Sequence, residues 1–315
     1  MADPLVRLLR HTAGIGFSIW FLTVVSFLVV ALAPGDAALS VLRVDTIAHS
    51  QAEIAAYRAQ LGLDDPLLVR YWRYLSGLLR GDLGMSVMTG QTVAHELGEA
   101  LPATALLALS SITVTLVLVV TLGTLAATHP DTWIDRLVSA GCYLGASMPT
   151  FWLGLLLIQW FAVDLRLLPA SGWRGGAGLV LPCAALAVAI APPFIKLFRN
   201  SFQETQHRDF VRSARARGVP ERVLRRAHVL RASLIPVVTM MGVSLGSLLS
   251  GSVVVEAVFG LPGVGKLAVE AVTRRDYAVI QGFILVIGIA IIGINLLVDL
   301  SYRWISPEVR LKGTR

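Results

Sequence analysis

Charge is what this chain has least of. Of its 315 residues only 15 % are charged, whereas 55 % are hydrophobic and the mean hydropathy is +0.71. Soluble domains average about a quarter charged residues, so the shortage excludes an ordinary soluble domain. Cysteine is also scarce. Cys142 and Cys183 sit in separate apolar runs without C-x-x-C spacing, which argues against a disulfide framework or a thiolate metal site. No H-E-x-x-H occurs, and no Ser/His or paired-Asp arrangement stands at the middle of an apolar run, so an intramembrane enzyme finds no catalytic residues here. His49 and His95 lack mutual ligand spacing and read as isolated surface histidines, leaving no metal site.

Long apolar runs are what the chain has in their place. Six can cross a bilayer: Thr12–Ala33, Pro102–Thr128, Leu137–Val163, Leu179–Phe198, Leu234–Phe259 and Ala278–Trp304. The fold class expected is therefore all-α, a polytopic membrane protein with six transmembrane helices. Residues 1–11 form an N-terminal segment, 12–33 the first span, 34–101 a polar segment, 102–304 a core of five spans, and 305–315 a tail. The first run is about 21 residues, longer than the 7–15 of a signal-peptide core, and reads as a retained span. Pro192-Pro193 is expected to kink or unwind the fourth span, and Pro149 the third. Gly242, Gly246, Ser247, Ser250 and Gly251 make the fifth suited to close helix packing. Trp20, Trp152 and Trp160 read as interfacial or packing residues.

Basic residues set the orientation. Counted over alternate connections, seventeen lie on the side of the two termini and ten on the other, where the 34–100 stretch also carries eight acids. The positive-inside rule then places both termini and the basic block 199–233 in the cytoplasm. This topology accounts for the net charge of +7 without a nucleic-acid partner. Glu256 and Asp299, near span ends, are the acids closest to the hydrocarbon and are candidates for the solute path.

GLPGVGKL, Gly260–Leu267, comes within one residue of the phosphate-binding G-x-x-x-x-G-K-[ST]. Leu267 stands where the Mg²⁺-binding hydroxyl is needed, Pro262 removes a backbone donor, and the stretch follows a span, not a buried strand. It also falls on the side opposite the basic block. A nucleotide site is not expected there.

The basic block reads RNSFQETQHRDFVRSARARGVPERVLRRAHVLRASLIPVV. Good helix formers predict a helix over Gln203–Arg217, stopped by Gly218. Pro220 and Glu221 suit the first turn of a second helix. Ser213, Ala214 and Ala216 are small and would let another protein approach closely. A solvated basic loop that merely obeys the positive-inside rule fits the same residues.

DFVRSARARG followed by HVLRASLIPVV resembles the cytoplasmic coupling motif of bacterial ABC importer permeases of the dipeptide/oligopeptide/nickel branch. LGLDDPLLVRYWRYLSGLLRGDLGMS, LPATALLAL, SMPTFWLGLLL, VVVEAVFGLPGVGKLA and RRDYAVIQGF agree in order and spacing, so the resemblance covers Leu5 to about Arg310. It implies an ABC type I importer permease fold in the bacterial inner membrane. In the pattern E-A-A-x-x-x-G, Gly218 matches the glycine and Ala214 the second alanine. Ser213 replaces the first alanine and Arg212 the glutamate, which leaves the role of Arg212 open. The resemblance implies that Arg212, Ser213, Ala214, Arg215, Ala216, Arg217 and Gly218 seat in a groove on a separate ATPase. Arg215 and Arg217 either pair with acids there or only enforce orientation. Pro262, Gly263 and Gly265 are implied to lie in an external loop near the mouth of the pore.

The partners implied are a paralogous permease subunit forming a heterodimer, two ABC ATPase subunits, an extracytoplasmic solute-binding protein and membrane lipid. ATP and Mg would be bound by the ATPases, so no cofactor and no catalytic residue is expected on this chain. The cargo implied is a small peptide, nickel or a metal chelate. PGDAALSVLRV and its distance to LGLDDPL lean slightly toward nickel or a chelate. The alternative, a secondary transporter or channel working without an ATPase, has Pro192-Pro193 as a partial match but lacks charges at mid-membrane.

Overall fold

Proline and helix-end chemistry decide how the apolar runs are divided. The computed structural model describes residues 4–32, 64–173 and 175–305, with side chains described from 12 to 298 apart from 243, 245, 247, 249 and 250. The stretch PGDAALSVLRV, most of the 34–101 segment's first half and the tail after 305 lie outside the described residues.

The helices are α1 (Pro4–Ala31), α2 (Leu67–Leu79), α3 (Val93–Thr128), α4 (Trp133–Ser147), α5 (Thr150–Leu157, continued as a π-helix over Ile158–Asp164) and α6 (Gly175–Gln206). They continue with α7 (Asp209–Ala216), α8 (Glu221–Val223, followed by a π-helical stretch Leu224–Val229), α9 (Leu230–Phe259), α10 (Val264–Arg274) and α11 (Tyr277–Ile305). No strand occurs among the described residues. The protein is all-α and polytopic. Among the described residues, four helices are long and apolar enough to cross a membrane, or six if two bent pairs each count as one span.

The chain divides into two compact units. One comprises Met1–Ala103 with Pro262–Ile292, the other Thr104–Leu261 with Gly293–Arg315. In the first, Val93, Leu97 and Ala100 of α3 are buried together with Val264 and Ala271 of α10 and Val279 of α11. Asp276 anchors that core. It is 2 % exposed, accepts a 2.6 Å hydrogen bond from the Ser86 hydroxyl and receives the Val279 N–H at the start of α11.

In the second unit α6 is the central element. Two thirds of its apolar window is buried, 67 %, against 22 % for α3. Phe194, Phe198 and Phe202 fill one cluster with Val119 and Ala127 of α3, while Leu181, Leu186, Val255 and Phe259 fill another.

Pro192-Pro193 does not unwind the fourth span. α6 runs unbroken for 32 residues with Pro182, Pro192 and Pro193 inside it. The Val188 carbonyl, which lacks its usual i+4 donor because residue 192 is proline, lies beside Gly145 of α4, where a Cβ would come within 3.0 Å of it. The helix continues through the lost donors while packed against α4 and α9. Pro149 acts more strongly than the sequence suggested. Met148 is extended (φ −88°, ψ 129°), as a residue before proline favours, and α4 meets α5 at 107°, so 137–163 is not one straight span. The helix that carries the second apolar run starts before that run, at Val93, and has Pro102 within it.

Candidate coupling site

The expected single helix over Gln203–Arg217 is two. α6 ends at Gln206, Arg208 is extended (φ −69°, ψ 149°), and α7 restarts at Asp209, whose carboxylate suits the new helix N-terminus. α7 is amphipathic at helical spacing. Val211 is fully buried and Ala214 is 5 % exposed, three residues apart, and both belong to the core cluster of Phe198, Phe202, Leu224 and Val229. Arg212, Ser213, Arg215, Ala216 and Arg217 are exposed. The small-residue stripe read from the sequence is therefore split: Ala214 faces the chain's own core, leaving Ser213 and Ala216 on the free face.

Gly218 ends α7 as the sequence indicates, and the hydrogen bonds give the reason. Its N–H donates to the Arg215 carbonyl at 3.0 Å, and the Val219 N–H donates to the Ala214 carbonyl at 3.2 Å. This pairing closes two orphan carbonyls and requires a left-handed residue between them. Gly218 has φ +81° and nothing within 4 Å of where a Cβ would stand, so backbone conformation alone selects glycine. Pro220 then leads into α8, as expected.

Arg215 turns to its own chain. Its Nε donates to Glu221 at 2.5 Å across the Gly218 turn, and Arg225 stands 3.8 Å from the other Glu221 oxygen. The hydrogen bond from Arg215 holds the Glu221 carboxyl below its usual range and raises the guanidinium's own pKa. Arg212 and Arg217 have no ion-pair partner among the described residues.

One pair was not visible in the sequence. Asp135, in the first turn of α4, accepts two hydrogen bonds from Arg199 of α6, at 2.7 Å from Nε and 2.6 Å from Nη2, and a third from the Asp131 backbone. Asp135 is 5 % exposed. Such a planar two-point clamp fixes orientation as well as distance, and it ties α4 to α6 about two turns before the end of α6. An acid in a helix's first turn and an arginine at the end of a span were each legible; their meeting across 64 residues was not.

The remaining predicted residues are dispersed. Gly260 (φ +62°) closes α9 with the same bonding as Gly218, its N–H on Ala257 and that of Leu261 on Glu256. GLPGVGKL is thus half turn and half helix. Pro262 is exposed, Gly263 is buried in ordinary extended conformation (φ −102°), and Gly265 is buried inside α10. A cleft of about 300 Å³ beside α10 is lined by Glu96, Glu99, Pro262, Gly263, Lys266 and Glu270. His95 pairs with Glu99 at 3.4 Å. Glu256, one of the two solute-path candidates, is fully buried. Asp299 lies on α11, but its side chain is outside the described residues.

The model of the family described as "Binding-protein-dependent transport system inner membrane component" matches residues 119–311, and that of its N-terminal region matches 5–108. The glutathione transport system permease protein GsiC of Salmonella paratyphi A is 40 % identical over 304 residues, covering 96 % of this chain and 98 % of that protein. GsiC of Escherichia coli K12 is 38 % identical over the same coverage. Among solved structures, the inward-facing MetNI methionine ABC transporter aligns with a TM-score of 0.54 at 20 % identity, covering 67 % of this chain and 96 % of the other. An amino acid ABC transporter aligns with a TM-score of 0.52 at 15 % identity, covering 67 % and 94 %. The chain belongs to the binding-protein-dependent transport system inner membrane component family: it is a multi-pass inner-membrane permease subunit of an ABC importer, working with a solute-binding protein, and is not itself an enzyme, the ATPase being a separate subunit.

Proposed function

We propose that this permease imports a small peptide or peptide-like solute by alternating access, and that α7 is the element through which ATPase movement reaches the spans. The observation that carries this reading is the construction of α7. One face is fixed into the core through Val211 and Ala214, the end is locked by Gly218, and the other face presents Ser213 and Ala216. A short rigid helix anchored on one side and bare on the other passes on displacement instead of absorbing it. Closure of two ATPases around ATP and Mg would shift α7, and with it α6 through Phe202, toward the other of two access states.

Arg215 serves the turn through Glu221, so Arg212 and Arg217 are the cations left to meet acids on the ATPase. The basic-residue count supports both termini and α7 being cytoplasmic. A paralogous second permease completes the pore, and the loop that carries Pro262 and Gly263, which the basic-residue count supports as external, faces the solute-binding protein. Glu256 and Asp299 stay candidates for the solute path. Glutathione is a tripeptide, and the relatives named for its transport support the peptide branch; the lean toward nickel or a chelate draws no support from them.

The test is uptake of labelled glutathione and short peptides by vesicles holding the full complex and its binding protein. Uptake should stop when the ATPase's catalytic site is disabled. Uptake that persists would make the chain a secondary transporter or channel.

A further inference from the structure

Pro192 and Pro193 leave α6 without two of its internal hydrogen bonds, those to the Val188 and Ala189 carbonyls. Proline is where helices bend. This gap lies between the parts of α6 that coupling has to join. Beyond it, Phe198 and Phe202 share a core cluster with Val211 and Ala214 of α7. Before it, Leu181 and Leu186 belong to the cluster of Val255 and Phe259 of α9. A push delivered by α7 along α6 must cross residues 192 and 193, where a bend would absorb it.

α4 holds α6 on both sides of that gap. Before the prolines, Gly145 sits against Val188: a Cβ there would come within 3.0 Å of the Val188 carbonyl oxygen and 3.3 Å of its Cγ1. After them, Asp135 holds Arg199 through two hydrogen bonds, at 2.7 and 2.6 Å. Ten residues separate the two contacts on α4 and eleven on α6, about 15 and 17 Å at the helical rise. The lengths match, so α4 lies along the weakened stretch as a splint does, fixed at each end. Between the two ends Cys142 packs in one cluster with Ala191 and Ile195.

The two ends are unlike. The Gly145 contact resists compression only. The guanidinium–carboxylate pair also resists separation and rotation, because its two bonds are parallel and planar. Asp135 is itself held in place: it is 5 % exposed and accepts the Asp131 N–H at 3.2 Å. Asp131 has φ +61°, a left-handed conformation uncommon outside glycine, so the turn before α4 is bent to aim that N–H.

We propose that Asp135 and Arg199 are positioning residues for transport: they lock α4 across Pro192-Pro193, so that α6 passes on the displacement received from α7 instead of bending at the prolines. This rests on the reading of α7 as the coupling element. The pair acts through α6, not on the solute.

The full complex, with its ATPases and binding protein, is reconstituted carrying Asp135→Asn or Arg199→Lys, and uptake of labelled glutathione and short peptides is measured beside ATP hydrolysis. Asp135→Asn should lower the solute moved per ATP about fivefold, within the range that changes along a coupling route give. Arg199→Lys keeps the charge but loses the second donor, and should fall between; it carries the test alone if Asp135→Asn does not assemble. Spin labels at Val180→Cys and Glu204→Cys, exposed positions on either side of the prolines, report bending of α6 in the same complexes. The native thiols, Cys142 and Cys183, are 4 % and 3 % exposed and stay unlabelled in the folded protein. The parent should give one narrow distance, alike with and without ATP, and the variants should broaden it about twofold, as an unsupported proline break does. A broad distribution in the parent would overturn the proposal. So would uptake and hydrolysis falling in step while the distance stays narrow, since the pair would then serve folding alone, and so would an unchanged ratio in both variants. If Ser213→Trp and Ala216→Trp keep full uptake, the coupling reading fails and this inference falls with it. If they lose uptake while Asp135→Asn keeps its ratio, only the splint fails.

Discussion

Helices α7 and α10 are both short, amphipathic and closed by the same pair of hydrogen bonds, yet they use their small residues in opposite ways. α10 buries its own: Gly265, Ala268 and Ala271 are covered together with Val264, while Glu270 and Lys266 pair along its outside at 3.6 Å. α7 buries Val211 and Ala214 but leaves Ser213 and Ala216 bare. Small residues turned inward bring a helix close to its own core. Turned outward, they let something else come close. The ends differ too. Gly218 supplies the left-handed residue of α7, whereas Arg275 supplies it for α10 at φ +57°, its N–H on Val272 and that of Asp276 on Ala271.

The largest expected effect tests the outward face. Ser213→Trp and Ala216→Trp should each lower ATP-driven uptake more than tenfold while membrane insertion and melting temperature hold. Full uptake in both would remove α7 from the coupling path. Next come the inward faces. Ala214→Leu and Ala268→Leu should each cost about 1–3 kcal/mol through overpacking, read as lower melting temperatures in detergent. If Ala214→Leu melts like the parent yet loses uptake, residue 214 faces a partner after all.

The helix ends give a smaller, opposite pair of shifts. Gly218→Ala should destabilise by about 1–2 kcal/mol, and Arg275→Gly should stabilise by about 1 kcal/mol, because a Cβ is penalised only in the left-handed conformation. Equal signs would break the comparison. The smallest effect belongs to the Arg215–Glu221 pair, which is half exposed and screened by water. Arg215 depresses the folded-state pKa of Glu221, so the pair's contribution is complete above the unfolded carboxyl value and is lost as pH falls through the folded one. The difference in melting temperature between the parent and Glu221→Gln should therefore shrink below about pH 4. A difference that grows on acidification would contradict the pairing.

Much of this was legible in the residues. The apolar runs announced a membrane protein, and Gly218 announced the end of α7. These depend on local rules: hydropathy over a span and the φ a turn demands. What local rules left open shares a cause. Pro192-Pro193 was expected to kink or unwind α6; the helix stays continuous, because the neighbours that enclose a helix decide whether it survives a lost donor. Pro149 was seen as a break, while the 107° between α4 and α5 depends on what each half packs against. Ala214 and Ser213 look alike in sequence; one residue step, about 100° of rotation, separates core from surface only once Phe202 and Leu224 are in place.

By itself the sequence determined the solvent this protein lives in and the helical class, because each follows from the chemistry of neighbouring residues. Tertiary structure alone decided the Asp135–Arg199 clamp, the burial of Glu256 and the two-sided character of α7. Those depend on which distant segments meet, and burial and pairing are properties of the meeting, carried by neither residue beforehand.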